Sequence, residues 1–245
     1  MRKAGILLQK MKEYLLAVFY PARCPVCERL TGGRRIRCCP ICEEKLPYIP
    51  EPRCLKCGKA VTAEETEYCM DCTKQQHVFT RGIALWSFDQ SVRRVVYRFK
   101  YKNRREYAEY FAREIVKCYG RQIKSWNADA LVPVPIHRKR YKKRGFNQAE
   151  LLAKEIGRYM KLEVHTEIIS RIRNTRPQKE LNNKERQKNL KSAFKINQNS
   201  VKLKKVIVVD DIYTTGATVD VMTELLLQTE ITHVYVITLC IGRGY

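Results

Sequence analysis

One stretch of the 245-residue chain combines acids, hydroxyls and a glycine in an order that could hold a phosphorylated sugar. Val206-Ile-Val-Val-Asp-Asp-Ile-Tyr-Thr-Thr-Gly-Ala-Thr218 passes from four apolar residues to two carboxylates and then to a small loop. The apolar run predicts a central parallel strand covered on both faces, ending at the acids. Ligands in open α/β sheets sit beyond the carboxyl ends of the strands. Backbone N–H groups of Thr214, Thr215, Gly216, Ala217 and Thr218, with the first turn of the following helix, would cradle a phosphate that the helix dipole favours. Gly216 permits close backbone approach. A phosphate would repel Asp210 and Asp211, which suit instead the hydroxyls of an attached sugar, or a Mg²⁺ held by that sugar's polyphosphate. The plain alternative is an ordinary strand–turn–helix with two solvated aspartates.

A second chemistry lies near the N-terminus, where nine of the eleven cysteines fall within the first 72 residues. Cys24, Cys27, Cys39 and Cys42 form two C-x2-C pairs around an eleven-residue loop, and Cys54, Cys57, Cys69 and Cys72 repeat the pattern thirty residues later. Two such turns supply the four thiolates of a tetrahedral zinc site. Each hairpin is too short to bury a core, so the metal would supply the missing stability, of order 10–16 kcal/mol per structural site. The spacing predicts two tandem zinc ribbons ligated sequentially, with a cross-braced pairing as the competitor. Closed four-sulfur sites leave no open position, so both zinc ions would be structural. Redox-active C-x-x-C pairs usually occur singly beside a βαβ unit, and structural disulfides need an oxidising compartment. Cys38 is a spare neighbour able to replace Cys39, while Cys118 and Cys240 lie in apolar stretches and are expected in the core.

The elements that must position these groups follow from periodicity. Ile83–Phe88 predicts a strand; Val92, Val95, Val96 and Phe99, then Tyr107, Tyr110, Phe111, Ile115 and Val116, fall at helical spacing. Leu131–Val134 predicts a short buried strand, and Asn147 with Glu150 a capping box opening the helix of Leu151, Leu152 and Ile156. A helix over 218–227 and a strand over 234–239 complete an α/β alternation with a parallel sheet. Ile6 to Phe19 predicts an amphipathic helix docking on the protein's own core. Charges interrupt it too often for a spanning helix or a signal peptide.

Charge narrows the class of partner. The chain carries 48 basic and 25 acidic side chains, net +23, while 44% hydrophobic content argues against a disordered polybasic protein. Of that net charge, +18 falls after residue 80. Residues 93–105 hold seven Lys/Arg and no acid, residues 138–144 six in seven, and residues 171–191 eight against Glu180 and Glu185. Such a field attracts phosphate groups. Candidate pyrophosphate or nucleic-acid contacts are Lys100, Arg138, Arg144, Arg176, Lys179 and Arg186. One pyrophosphate needs only a few cations; the surplus suits a nucleic-acid backbone, with Tyr97, Phe99, Tyr101, Tyr141 and Phe146 available for base stacking. A solvated charged face is the ordinary alternative, above all for 93–105.

The stretch 206–218 resembles the phosphoribosyl-pyrophosphate motif of type I phosphoribosyltransferases, with Tyr213 where an aliphatic residue is usual. Leu131-Val-Pro-Val-Pro-Ile, Arg144-Gly-Phe-Asn-Gln148, the segment from Arg176 through Arg186 to Phe194, and the cysteine repeat together resemble the ComF family (ComFC and GntX proteins) over nearly the whole chain. The resemblance implies an N-terminal helix over 1–20, a double zinc ribbon over 21–76 and a parallel-sheet α/β phosphoribosyltransferase-like domain over 80–245. It also implies a cytoplasmic competence factor in DNA uptake, reaching the inner face of the membrane through partners, that binds single-stranded DNA and a ComFA-like helicase ATPase. Phosphoribosyl pyrophosphate with Mg²⁺ is the implied pocket ligand. A Mg²⁺-dependent phosphoribosyltransferase acting on an unidentified acceptor, and a regulator sensing phosphoribosyl pyrophosphate, are the alternatives. No segment marks a nucleobase pocket, and no cysteine stands beside Met1 for a glutamine-hydrolysing half.

Overall fold

The computed structural model describes residues 21–32, 35–173, 190–197 and 202–242. The amphipathic helix expected within 1–20 and the candidates Arg176, Lys179 and Arg186 lie outside them. The chain divides into two compact units, one ending at Leu46 and the other beginning at Pro47.

In the first unit the bridge between Arg23 and Leu30 closes a turn carrying Cys24 and Cys27, in which Glu28 N–H donates to the Cys24 carbonyl at 2.9 Å. The second cysteine pair opens a short helix, α1 (Pro40–Glu43), with Cys39 at its N-cap and Pro40 in its first turn. The larger unit begins with the same construction. Arg53 bridges Ala60, Gly58 N–H donates to the Cys54 carbonyl at 3.0 Å, and Cys69 caps α2 (Met70–Lys74). The sequence repeat is thus a structural repeat. Its second copy, however, folds within the unit that contains the sheet.

That sheet holds β1 (Arg81–Phe88), β2 (Ala130–Pro133), β3 (Glu163–Val164), β6 (Lys205–Tyr213) and β7 (His233–Gly242). Its order is β1-β7-β6-β2-β3, and every pairing is parallel. Val206–Val209 are fully buried between β2 and β7, each contributing about 1.5–3 kcal/mol of apolar burial. Between β1 and β2 run α3 (Gln90–Tyr101) and α4 (Tyr107–Ser125). Asp89 caps α3 by accepting from Val92 N–H at 2.8 Å. The apolar stripe of α3 is buried as its spacing predicts, and so is that of α4 except Val116, which is partly exposed. Tyr119 and Ile123 keep the last turns of α4 packed on the core, but Cys118 lies off that buried stripe and is exposed, contrary to its expected burial; Cys240 on β7 is buried.

Asn147 caps α6 (Gln148–Met160), accepting from Ala149 N–H at 3.2 Å. Ahead of it the basic run forms a helix of its own, α5 (Arg138–Arg144), ended by Gly145 at φ 78°. Hydrophobic spacing gave no sign of α5, because none of its residues is buried. A separate antiparallel pair, β4 (Ile169–Arg171) with β5 (Phe194–Ile196), stands outside the main sheet. The last helix, α7 (Ala217–Leu226), packs on β6 and β7.

Candidate functional site

β6 does not end at the acids, as the apolar run suggested, but continues through them to Tyr213, pairing with β7 as far as Ile241. Pairing with β7 fixes the backbone under both carboxylates. Asp211 N–H donates to Asp210 Oδ1 at 2.8 Å, and Lys100, in the last turn of α3, forms an ion pair with Asp211. Burial, then the adjacent Asp211 charge, pushes the Asp210 carboxyl well above the usual carboxylate range. A bound cation or sugar hydroxyls would relieve that repulsion.

Beyond Tyr213 the chain exposes Thr214 and Thr215 and turns at Gly216, whose φ of 78° is left-handed. Gly216 is the N-cap of α7, and no side chain caps the first turn. The leading N–H groups of a helix without such a cap are an anion site. The structure therefore brings Asp210, Asp211, Thr214, Thr215, Gly216, Ala217 and Thr218 into one continuous strand–loop–helix corner.

The floor of that corner holds residues the sequence reading did not single out. An ideal Cβ on Gly216 would stand 2.5 Å from the Tyr213 hydroxyl and 2.7 Å from His77 Cε1. His77 Nδ1 lies 2.8 Å from Asp220 Oδ2 and its Nε2 3.0 Å from the Tyr213 hydroxyl. Tyr213, which stands where an aliphatic residue is usual, contributes its ring and hydroxyl to that floor. An acid in the first turn of α7, Asp220, was the one available signal, since a carboxylate there needs a partner.

The basic segments take distinct places. Arg144 closes α5 with its guanidinium 4.8 Å above the Tyr101 ring and donates to the Tyr101 hydroxyl at 2.9 Å. Tyr97 and Tyr101 stand with ring centroids 5.1 Å apart, and Tyr97, Tyr101 and Tyr141 are each about half exposed. Arg138 is exposed on α5. Phe99 and Phe146 are buried core residues and unavailable for stacking; Phe99 packs on Phe111 and Phe146 lies beneath Arg105. Arg171, on β4 with its guanidinium 5.0 Å over Phe194, has its pKa lowered by burial and then by Arg140, while Asp210 pulls it the other way. Arg171 thus feels both the Arg140 charge and that of Asp210.

The cysteines group as two sequential tetrads, Cys24, Cys27, Cys39, Cys42 and Cys54, Cys57, Cys69, Cys72, with ligand atoms within 4.8 Å of one another in each. Zn–S bonds of about 2.3 Å in a tetrahedron place sulfurs about 3.8 Å apart. Cys27 and Cys39 Sγ stand at 3.8 Å, Cys57 and Cys69 at 3.6 Å, so both sets fit the ion. Cys39 completes the first tetrad; Cys38 is buried with its Sγ 3.7 Å from Cys24.

Residues 15–73 match the double zinc ribbon domain family and residues 114–244 the phosphoribosyl transferase domain family. Similar proteins include competence protein F of Haemophilus influenzae, 27% identical over 85% of this chain and 92% of that one. The DNA utilization protein YhgH of Escherichia coli is 26% identical over 90% and 97%. Competence protein ComFC of Bacillus subtilis is 27% identical over 78% of each. A solved hypoxanthine phosphoribosyltransferase from Staphylococcus aureus is 18% identical with a TM-score of 0.34, over 53% of this chain and 62% of that one. The ribbon match and the two tetrads together assign structural zinc to both cysteine sets.

Proposed function

Because this chain belongs to the phosphoribosyltransferase family, in the ComF form with a double zinc ribbon, we propose that it binds phosphoribosyl pyrophosphate with Mg²⁺ at the 210–218 corner and single-stranded DNA along α3 and α5. The ribose 5-phosphate sits on the amides of Thr214–Thr218, and Asp210 and Asp211 take the ribose hydroxyls or the metal. The DNA backbone follows the cations of α3 and α5, and bases stack on Tyr97, Tyr101 and Tyr141. In the cell this is a cytoplasmic competence factor, handing or receiving strand from a helicase ATPase of the ComFA kind that docks on the ribbons or the basic face. Its relatives' names, competence protein and DNA utilization protein, support that reading.

The observation carrying the proposal is the end of α3. Lys100 pairs with Asp211 in the pocket, and the next residue, Tyr101, holds Arg144 on the aromatic–basic ridge. One helix turn therefore serves both ligands. Among the described residues no helix is long and apolar enough to cross a membrane.

Anisotropy titration of a short fluorescent oligonucleotide tests the DNA half. Affinity should fall with salt at a log–log slope of about −0.7 per phosphate contact. Tyr97→Ala with Tyr101→Ala should weaken binding by about 1–3 kcal/mol per stacked base. Affinity indifferent to salt and to both tyrosines would remove the proposal. Pyrophosphate release, assayed with bases, ammonia and DNA as acceptors, distinguishes a transferase from a binding or sensing site.

A further inference from the structure

His77 is not a zinc ligand and lies outside the strand–loop–helix motif, yet its side chain is 1% exposed and sits beneath the loop. Its ring stacks on Phe79 at 5.3 Å and meets Tyr213 edge-on at 5.9 Å. A carboxylate acceptor matches Nδ1–H as donor to Asp220, and in a neutral imidazole with that tautomer Nε2 accepts from the Tyr213 hydroxyl. Asp220 accepts two further bonds from the same segment, from Gln75 Nε2 and from Val78 N–H, each at 3.3 Å. Residues 75–78 thus engage the carboxylate in the first turn of α7 from three donors.

That segment is the tail of the second cysteine tetrad. Cys54, Cys57 and Cys69 share one apolar cluster with Phe79, Tyr213 and Val219. Gly58 approaches β1 so closely that a Cβ would stand 2.8 Å from the Gly82 carbonyl.

We infer that His77 is a positioning residue for the phosphate-binding loop. Delivered by the second zinc ribbon, it clamps Asp220 and Tyr213 so that the amides of 214–218 keep the geometry a ribose phosphate requires. The inference rests on the pocket reading above and concerns the residues that make that pocket competent.

Hydrogen exchange without ligand, paired with calorimetric titration of phosphoribosyl pyrophosphate and Mg²⁺, tests it on the full chain. His77→Ala should speed amide exchange at 214–218 and weaken binding, each by at least about tenfold. Two zinc ions per chain and the protection of central β6 and β7 should remain. His77→Asn, which keeps an N–H near the Nδ1 position for Asp220, should recover part of both losses. Unchanged exchange at 214–218 in His77→Ala, or protection lost evenly across β6 and β7, overturns the inference. If His77→Ala does not fold, Tyr213→Phe decides alone: faster loop exchange supports the clamp, and wild-type exchange overturns it. A wild-type protein that fails to bind the ligand refutes the pocket, while the exchange comparison still decides the role of His77.

Discussion

The two cysteine repeats are alike in spacing and unlike in surroundings. In the first, Cys24 is buried and Cys27, Cys39 and Cys42 are only partly so; in the second, Cys54, Cys57 and Cys69 are all buried. The residue after the first cysteine pair must be left-handed in both, and the repeats meet that need differently. Glu28 has φ 61° and Gly58 φ 77°. A side chain is tolerated in the first repeat, at a cost of about 1–2 kcal/mol for a non-glycine residue in that region. In the second, the carbonyl of Gly82 leaves no room for one. The same metal knuckle thus lies in a compact unit of its own in one copy and in the core of the sheet-containing unit in the other.

Breaking one tetrad at a time should separate them most widely. Cys54→Ser should release one zinc, lower the unfolding midpoint of the larger unit and abolish ribose-phosphate binding. The energy at stake approaches the ~10–16 kcal/mol of a structural site. Cys24→Ser should release one zinc and leave that binding within about twofold, because none of the pocket residues belongs to its compact unit. Metal analysis, calorimetry and ligand titration on the two variants check this; equal effects would erase the distinction.

The glycine position gives a narrower contrast. Gly58→Ala should destabilise by about 2–4 kcal/mol, combining overpacking with left-handed strain, whereas Glu28→Gly should be neutral or stabilise by up to about 1 kcal/mol. Denaturant midpoints with unchanged m-values would measure both.

The smallest effect concerns the acid pair above the second repeat's clamp. The raised pKa of Asp210 means that the folded chain holds a proton the unfolded chain releases. Stability is therefore full below the unfolded carboxylate value of about 3.9 and is lost as pH rises through the raised folded value. At neutral pH, Asp210→Asn should stabilise the protein by about 0.5–2 kcal/mol while losing ligand. Thermal unfolding of both forms between acid and neutral pH would show the gap widening upward; a gap constant with pH would contradict it.

Much of this was legible before the fold was known, and the reasons differ by region. Val206–Val209 announced a central strand because only burial on both faces tolerates four consecutive apolar residues. The cysteines announced their grouping because thiolates at C-x2-C spacing have few other uses. The end of β6 lies beyond the polar boundary that its sequence suggests, because pairing with β7 carries the backbone on through Asp210 and Asp211. α5 left no hydrophobic period to find. The burial of Phe99 and Phe146 is not legible locally, because a basic run hides which face of the chain turns inward. His77 was invisible for a topological reason: 143 positions separate it from Asp220, and only the packed second ribbon brings them together.

Calorimetric titration of phosphoribosyl pyrophosphate with Mg²⁺ into the wild-type chain and into Asp210→Asn/Asp211→Asn addresses the pocket most directly. One saturable site per chain in the wild type, absent from a double variant that still folds and keeps two zinc ions, is the expected result. Heat indistinguishable from dilution in the wild type, or equal affinity in the variant, would contradict it.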